Sequence, residues 1–194
     1  MLPIVARAFA ELGYRRATTA KLAKRCGVRE NVLYRAWPNK KAMFLAAIDH
    51  IWESSADIWQ KLSDAALPGG AADAARRVLE YEARHHGESG LYRVIFSGLT
   101  ETDDPEIAAA LRRMYHNFHA FITRQVATSR GRAGKAAGAE AESMDELTGW
   151  ALVGLATVAS IGRELRLMGD KQRTHLYLRI GDLLLESNAN ARTP

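Results

Sequence analysis

The stretch from Gly27 to Lys40 leaves the chain few options. Gly27 is placed to end a helix in the left-handed conformation. Pro38 disfavours helical geometry at Trp37 before it. About two turns of helix fit between them, too few to be stable alone in water. Neighbouring elements must hold such a piece, which leaves one face outward. Arg29, Glu30, Asn31, Tyr34 and Arg35 stand on it, with Val32 next to Asn31. Arg and Asn can bond guanine and adenine in bidentate fashion, Glu can accept from cytosine, and Val can pack on a thymine methyl. Glu30 equally complements the dipole at a helix start.

The preceding residues supply a second helix. Thr18 is a good N-cap, because its hydroxyl accepts from a free amide of the next turn. Thr19 to Cys26 follow, with Leu22, Ala23 and Cys26 on one face. Helix, Gly-containing turn and helix form a helix-turn-helix, whose second helix enters the major groove with its N-terminal residues first. Before it, Pro3 to Leu12 read as a helix with Ile4, Val5, Ala8, Phe9 and Leu12 in an apolar stripe. Gly13 ends this helix, and Tyr14 folds back onto the core. Charge follows the same division. Residues 1–50 hold ten Lys/Arg against three Asp/Glu, a net of +7, while residues 51–194 hold 17 against 19, a net of −2. A positive excess confined to the helix-turn-helix part is the footprint of a nucleic-acid partner.

Hydrophobic residues make up 47% of the 194, enough for a proper core. The one cysteine, Cys26, excludes an internal disulfide and fits the cytoplasm. It reads as a small core hydrophobe. No signal peptide is visible. The longest uncharged run, Leu147 to Gly162, has 16 residues. That falls short of the roughly 20 needed to span a bilayer. No membrane partner is expected.

Asn39 caps a long helix from about Lys40 to Leu62, apolar through Met43, Phe44, Ala47, Ile48, Ile51, Trp52, Ile58 and Trp59. Pro68-Gly69-Gly70 is the clearest break. Ala71 to His86 read as a helix, Gly87 to Gly90 as a break, and Leu91 to Leu99 as a short apolar segment. Thr102-Asp103-Asp104-Pro105 signals a helix start, with Pro at the first helical position. A long amphipathic helix then runs to about Thr128. Ser129 to Ser143 read as an exposed, mobile connection. Met144 to Met168 form an apolar helix broken by Gly169-Asp170, and Lys171 to Ser187 form the last. The tail from Asn188 reads as disordered. No strand signal or repeat stands out.

One set of residues carries a family resemblance. Phe9-Ala10-Glu11-Leu12-Gly13-Tyr14, Ala17-Thr18-Thr19, Leu22-Ala23, Cys26-Gly27-Val28, Leu33-Tyr34-Arg35 and Trp37-Pro38-Asn39-Lys40 resemble the DNA-binding domain of the TetR family of bacterial repressors. The resemblance covers about the first quarter of the chain. It implies that Tyr34 and Lys40 contact phosphates and that Trp37 is a buried aromatic. It also implies that the helix from Lys40 transmits ligand-driven motion, and that the last two helices pair across a two-fold axis as a four-helix bundle. Family members usually carry additional, often basic residues before the first helix, which here starts almost at Met1. They commonly begin the recognition helix with a small cap and a lysine, where this chain has Arg29 and Glu30.

The expectation is an all-α protein: a three-helix helix-turn-helix DNA-binding domain over residues 1–46, a larger helical ligand-binding and dimerisation domain over 47–188, and a disordered tail over 189–194. DNA would meet Thr18, Arg29, Glu30, Asn31, Val32, Tyr34, Arg35 and Lys40. A small-molecule effector, in part apolar or aromatic, would meet Tyr81, His85, Tyr92, Phe96, Tyr115, Phe118, His119 and Trp150. Two copies would pair through Trp150, Gly154, Thr157, Val158, Ile161, Leu176, Ile180 and Leu183. The two heads of a homodimer would then match two half-sites of palindromic double-stranded operator DNA. The expected function is repression relieved by the effector. One alternative is control by a protein partner without a small-molecule ligand. Another is a helical enzyme using its histidines. No nucleotide-binding, zinc or hydrolase motif is present, so neither catalysis nor a cofactor is expected. His85, His86, His116 and His119 lack a nearby Cys or carboxylate pair, and no metal is expected.

Overall fold

The computed structural model describes residues 1–64, 70–131 and 138–186, and among them all regular structure is helical. In order these are α1 (Leu2–Arg16), α2 (Thr19–Cys26), α3 (Glu30–Ala36), α4 (Lys40–Asp64), α5 (Gly70–His85), α6 (Tyr92–Leu99), α7 (Pro105–Ser129), α8 (Ala139–Glu164) and α9 (Asp170–Glu186). No helix of the described residues is long and apolar enough to cross a membrane. The chain divides into two compact units. Met1–Ala56 with Ser89–His116 form the first, and Asp57–Glu88 with the chain from Asn117 onward form the second. Helices α4 and α7 contribute to both.

In the first unit, Val5, Ala8 and Phe9 of α1 meet Leu22 of α2, Leu33 of α3 and Met43, Phe44 and Ile48 of α4 in a closed core. The Phe9 and Phe44 rings meet edge to face, with centroids 5.0 Å apart. Gly13 takes φ 71° inside α1, so the helix kinks there and runs one turn further, to Arg16, instead of ending. The kink turns Tyr14 back onto Phe44, 4.7 Å between centroids. Helix α6 packs against α1. The Tyr14 amide donates to Ser97 Oγ at 2.8 Å, and Arg15 pairs with Glu101 at 2.7 Å. Pro105 opens α7, and Asp104 Oδ1 accepts from the Glu106 amide at 2.9 Å. Lys41 at the start of α4 pairs with Asp104 and Glu106. The unit that carries the helix-turn-helix thus also includes α6 and the first part of α7.

The second unit is built on α5, α8 and α9 with the ends of α4 and α7. Leu79, Ala83, Val126, Leu152, Leu155, Ala159 and Tyr177 form its core. A buried ion pair ties three helices: Arg130 Nη1 lies 2.6 Å from Asp145 Oδ1, and Arg130 Nη2 donates to the Leu184 carbonyl at 2.7 Å. Two expected boundaries move. Helix α8 starts at Ala139 rather than Met144, because Ala and Glu favour helix over a mobile run. It stops at Glu164 rather than Met168, where Arg166 turns to φ 54°. The expected break at Pro68-Gly69, the middle of the expected connection (132–137) and the expected tail lie outside the described residues.

Candidate DNA interface and ligand unit

The helix-turn-helix is assembled by local chemistry. The Thr18 hydroxyl accepts from the Lys21 amide at 3.3 Å and caps α2. At the other end Gly27 adopts φ 66°, ψ 27°, and the Val28 amide returns to the Ala23 carbonyl at 3.0 Å. Orphan carbonyls of α2 are satisfied in this way, and the chain turns sharply. Helix α3 begins at once and is pinned by Leu33, its buried residue. Trp37 is extended at φ −139°, ψ 130°, as a residue before proline prefers, and α3 ends at Ala36. Asn39 Oδ1 accepts from the Ala42 amide at 2.8 Å and caps α4.

Arg29, Glu30, Asn31, Tyr34 and Arg35 are exposed and Val32 is half-buried. Two of these side chains are engaged with α2. Thr19 Oγ1 donates to Glu30 Oε2 at 2.6 Å, and the Tyr34 hydroxyl donates to Thr19 Oγ1 at 3.2 Å. Lys40 is committed as well: its Nζ donates to the Tyr14 carbonyl at 3.1 Å and lies 4.3 Å from the centre of the Tyr14 ring. Thr18 keeps its hydroxyl hydrogen, since capping uses only a lone pair. Cys26 is half-buried, and partial burial raises its thiol pKa, which suits a packing role. Sequence reasoning missed Lys21, Lys24 and Arg25. Together with Leu12 they line a surface groove of about 380 Å³ beside the helix-turn-helix. Their signal was present as three basic residues on the exposed side of α2.

The residues expected to meet a ligand fall in both units. Tyr92, Phe96 and Tyr115 lie in the first, while Tyr81, His85, Phe118, His119 and Trp150 lie in the second. Tyr92 and Phe96 meet edge to face at 5.6 Å, and Tyr81 lies against the His85 ring at 4.7 Å. His119 stacks on Trp150 at 4.3 Å, and its Nε2 donates to the Glu146 carbonyl at 2.9 Å, joining α7 to α8. Phe118 packs on Trp59 at 5.5 Å. A chain of polar contacts in this unit was not foreseen. Glu82 takes the Trp59 indole N–H at 2.7 Å and lies 2.8 Å from His86 Nδ1, and His86 Nε2 lies 2.9 Å from Ser160 Oγ. No three His, Cys, Asp or Glu side chains among the described residues are grouped to hold a metal.

Of the residues expected at a dimer interface, Trp150, Gly154, Val158, Ile161, Ile180 and Leu183 are exposed, and Thr157 and Leu176 are half-buried. Leu147 and Leu165 extend the exposed row along and just past α8.

Comparison with known proteins agrees with this geometry. Residues 6–47 match the family model for bacterial regulatory proteins, tetR family. Over 41 residues the chain is 56% identical to the nucleoid occlusion factor SlmA of Haemophilus influenzae (strain PittGG). That match spans 21% of this chain and only 19% of the relative's length. The whole fold is similar to that of a Pseudomonas aeruginosa PAO1 protein assigned as a transcriptional regulator, with TM-score 0.74 and 17% identity over 100% of this chain and 92% of that one. It is also similar to a regulator from Saccharomonospora viridis in complex with choline, with TM-score 0.72 and 20% identity over 96% and 94% of the two chains. Residues 6–47 are thus similar to the DNA-binding part of bacterial regulatory proteins of the tetR family, and they are carried on an all-helical fold similar to that of solved regulators.

Proposed function

We propose that the chain is a cytoplasmic repressor that binds palindromic operator DNA as a homodimer and is released by a small molecule. One observation carries the reading: a short helix pinned by buried Leu33 turns Arg29, Asn31, Tyr34 and Arg35 outward, in the part of the chain that holds the whole positive excess. Arg29 and Asn31, at the start of α3, would read bases, with Glu30 and Val32 beside them. Thr18, Tyr34, Arg35 and Lys40 would hold phosphates, and Lys40 would leave the Tyr14 carbonyl to do so.

Pairing of two copies through the exposed faces of α8 and α9 would present two heads to two half-sites. The effector would bind in the larger helical part, where Tyr81, His85, Phe118, His119 and Trp150 offer aromatic and polar surface. The Saccharomonospora viridis relative holds choline, which supports a small-molecule role for this part of the fold. Release requires the effector to bind the DNA-competent and DNA-incompetent forms with different affinity.

The test is binding of the purified protein to the DNA upstream of its own gene, beside scrambled DNA, across a salt series. Preference for the upstream fragment, with affinity falling as salt rises, supports operator binding. Equal weak binding to both, and to selected palindromes, overturns it.

A further inference from the structure

Helix α2 has two flanks. On one, Thr19 is bonded to Glu30 and Tyr34 of α3. On the other, Arg25 pairs with Glu11 of α1, and Lys21 Nζ donates to the Arg16 carbonyl at 3.0 Å. The groove of about 380 Å³ lies on this second flank, lined by Leu12 of α1 and by Lys21, Lys24 and Arg25. Leu22 and Ala23 point into the core. Lys24 and Arg25 follow Lys21 by three and four residues, so the three cations share one exposed face.

Three cations meet one carboxylate there. Lys24 is exposed and pairs with no described residue. Arg25 and Glu11 keep 50% and 39% of their side-chain surface open, so water screens the pair and a second carboxylate can share the guanidinium. Lysine and arginine stay charged at neutral pH. Leu12 is half-buried and gives the groove an apolar wall, which the methylene stems of Lys21 and Lys24 extend.

Two kinds of polyanion suit this charge, a DNA backbone and an acidic peptide. A duplex read by α3 meets the flank that carries Thr19 and Tyr34, which is not the flank with the groove. Phosphates also bring no apolar group to Leu12. An acidic peptide with an apolar side chain brings both parts.

We propose that the groove between α1 and α2 is a docking site for an acidic segment of a partner protein. One apolar side chain of that segment lies against Leu12, and its carboxylates meet Lys21, Lys24 and Arg25. The site is separate from the DNA-reading face, so one head can hold both partners.

Fluorescence anisotropy on the full chain at low salt tests it. The probe is a labelled peptide of glutamates around one central leucine, and the control is its alanine counterpart. The leucine peptide is expected to bind with a Kd of about 100 μM or below, about fivefold or more tighter than the alanine peptide. Lys21→Ala/Lys24→Ala should weaken it about tenfold, while Arg29→Ala/Arg35→Ala should leave it within about twofold. All four side chains are exposed, so these variants keep the fold, which circular dichroism checks. No binding up to about 1 mM, equal binding of the two peptides, or a loss confined to the Arg29→Ala/Arg35→Ala variant overturns the proposal. Failure of DNA binding leaves this measurement untouched, because it contains no DNA. A second measurement adds a random-sequence duplex. Peptide and duplex bound together, with the same salt slope for the duplex in Lys21→Ala/Lys24→Ala, support a separate site. A duplex that displaces the peptide, or whose salt slope falls by about two in that variant, puts the groove in the DNA footprint and overturns the proposal.

Discussion

Thr19 Oγ1 donates to Glu30 Oε2 at 2.6 Å, which joins the first residue of α2 to the first residue of α3. Thr19 spends its hydrogen on Glu30 and accepts one from Tyr34. This three-residue chain ties the exposed side of α3 to the start of α2. Among the described residues Glu30 Oε1 takes no hydrogen bond, so in the proposed complex it could accept from a cytosine amine. Thr19→Val removes the anchor and keeps the shape. We expect the thermal midpoint to change little, because the bond is exposed, while discrimination at one base pair falls by about 1–3 kcal/mol. Glu30→Ala should lose the same discrimination and bind scrambled DNA more tightly, since a negative charge leaves the phosphate face. Affinity for operator variants and for scrambled DNA at fixed salt reads both effects. Unchanged base preference in both variants would show that Glu30 serves only the helix dipole.

The ion pair of Arg130 and Asp145 is buried on both sides, each side chain 5% exposed, and Arg130 Nε already lacks an acceptor. Asp145→Asn would leave the guanidinium with no countercharge in a dry setting. We expect destabilisation of about 3–5 kcal/mol, read from urea denaturation of the full chain. Replacing both residues by apolar ones of similar volume should recover much of the loss, because the penalty lies in the unpaired charge.

Gly181 of α9 lies against Leu79 of α5: a Cβ there would stand 2.3 Å from Leu79 Cδ1 and 2.7 Å from Cδ2. Leu79 belongs to the core of this unit and has little room to swing away. Gly181→Ala should therefore destabilise by about 1–3 kcal/mol despite alanine's better helix propensity. Denaturation of this variant beside Gly181→Ala/Leu79→Ala checks the cause, since the second change opens space for the first.

What could be read from the sequence follows the range of the interactions. Thr18, Gly27, Pro38, Asn39 and Pro105 act on neighbours within four residues, and the structure has each doing what its chemistry suggests. The start of α8 has no such sign, because Gly138 before its Ala-Glu run offers no side-chain cap, although both Ala and Glu favour helix. The docking of α6 on α1 through Ser97 and Glu101 spans more than eighty residues of chain and has no local sign. The same holds for the polar chain of the second unit. Glu82 and His86 are visible as a one-turn pair, but Ser160 is 74 residues from His86, and only tertiary packing joins them.

The exposed row on α8 supports the last prediction. Leu147 (60% exposed), Val158 (50%) and, on α9, Leu183 (63%) stand in solvent in a single chain, with Gly154 between the first two and nothing within 4 Å of where its Cβ would be. Leu147, Gly154, Val158, Ile161 and Leu165 recur at steps of seven, four, three and four, so they form one stripe along the helix. If that stripe is the homodimer seam, an aspartate at its centre must bury a charge against its own copy. Val158→Asp should sediment as a 21.4 kDa monomer where the wild type sediments as twice that mass. Helix content should be unchanged. Binding to a full palindrome should weaken towards the affinity for a half-site, because two heads no longer act at one effective concentration. Gly154→Ala separates the seam from the fold: it should leave the monomer's stability intact or raise it by up to about 1 kcal/mol. It should also weaken dimerisation if two α8 helices approach closely at that point. Unchanged sedimentation of Val158→Asp at micromolar protein would show that the copies pair elsewhere or not at all.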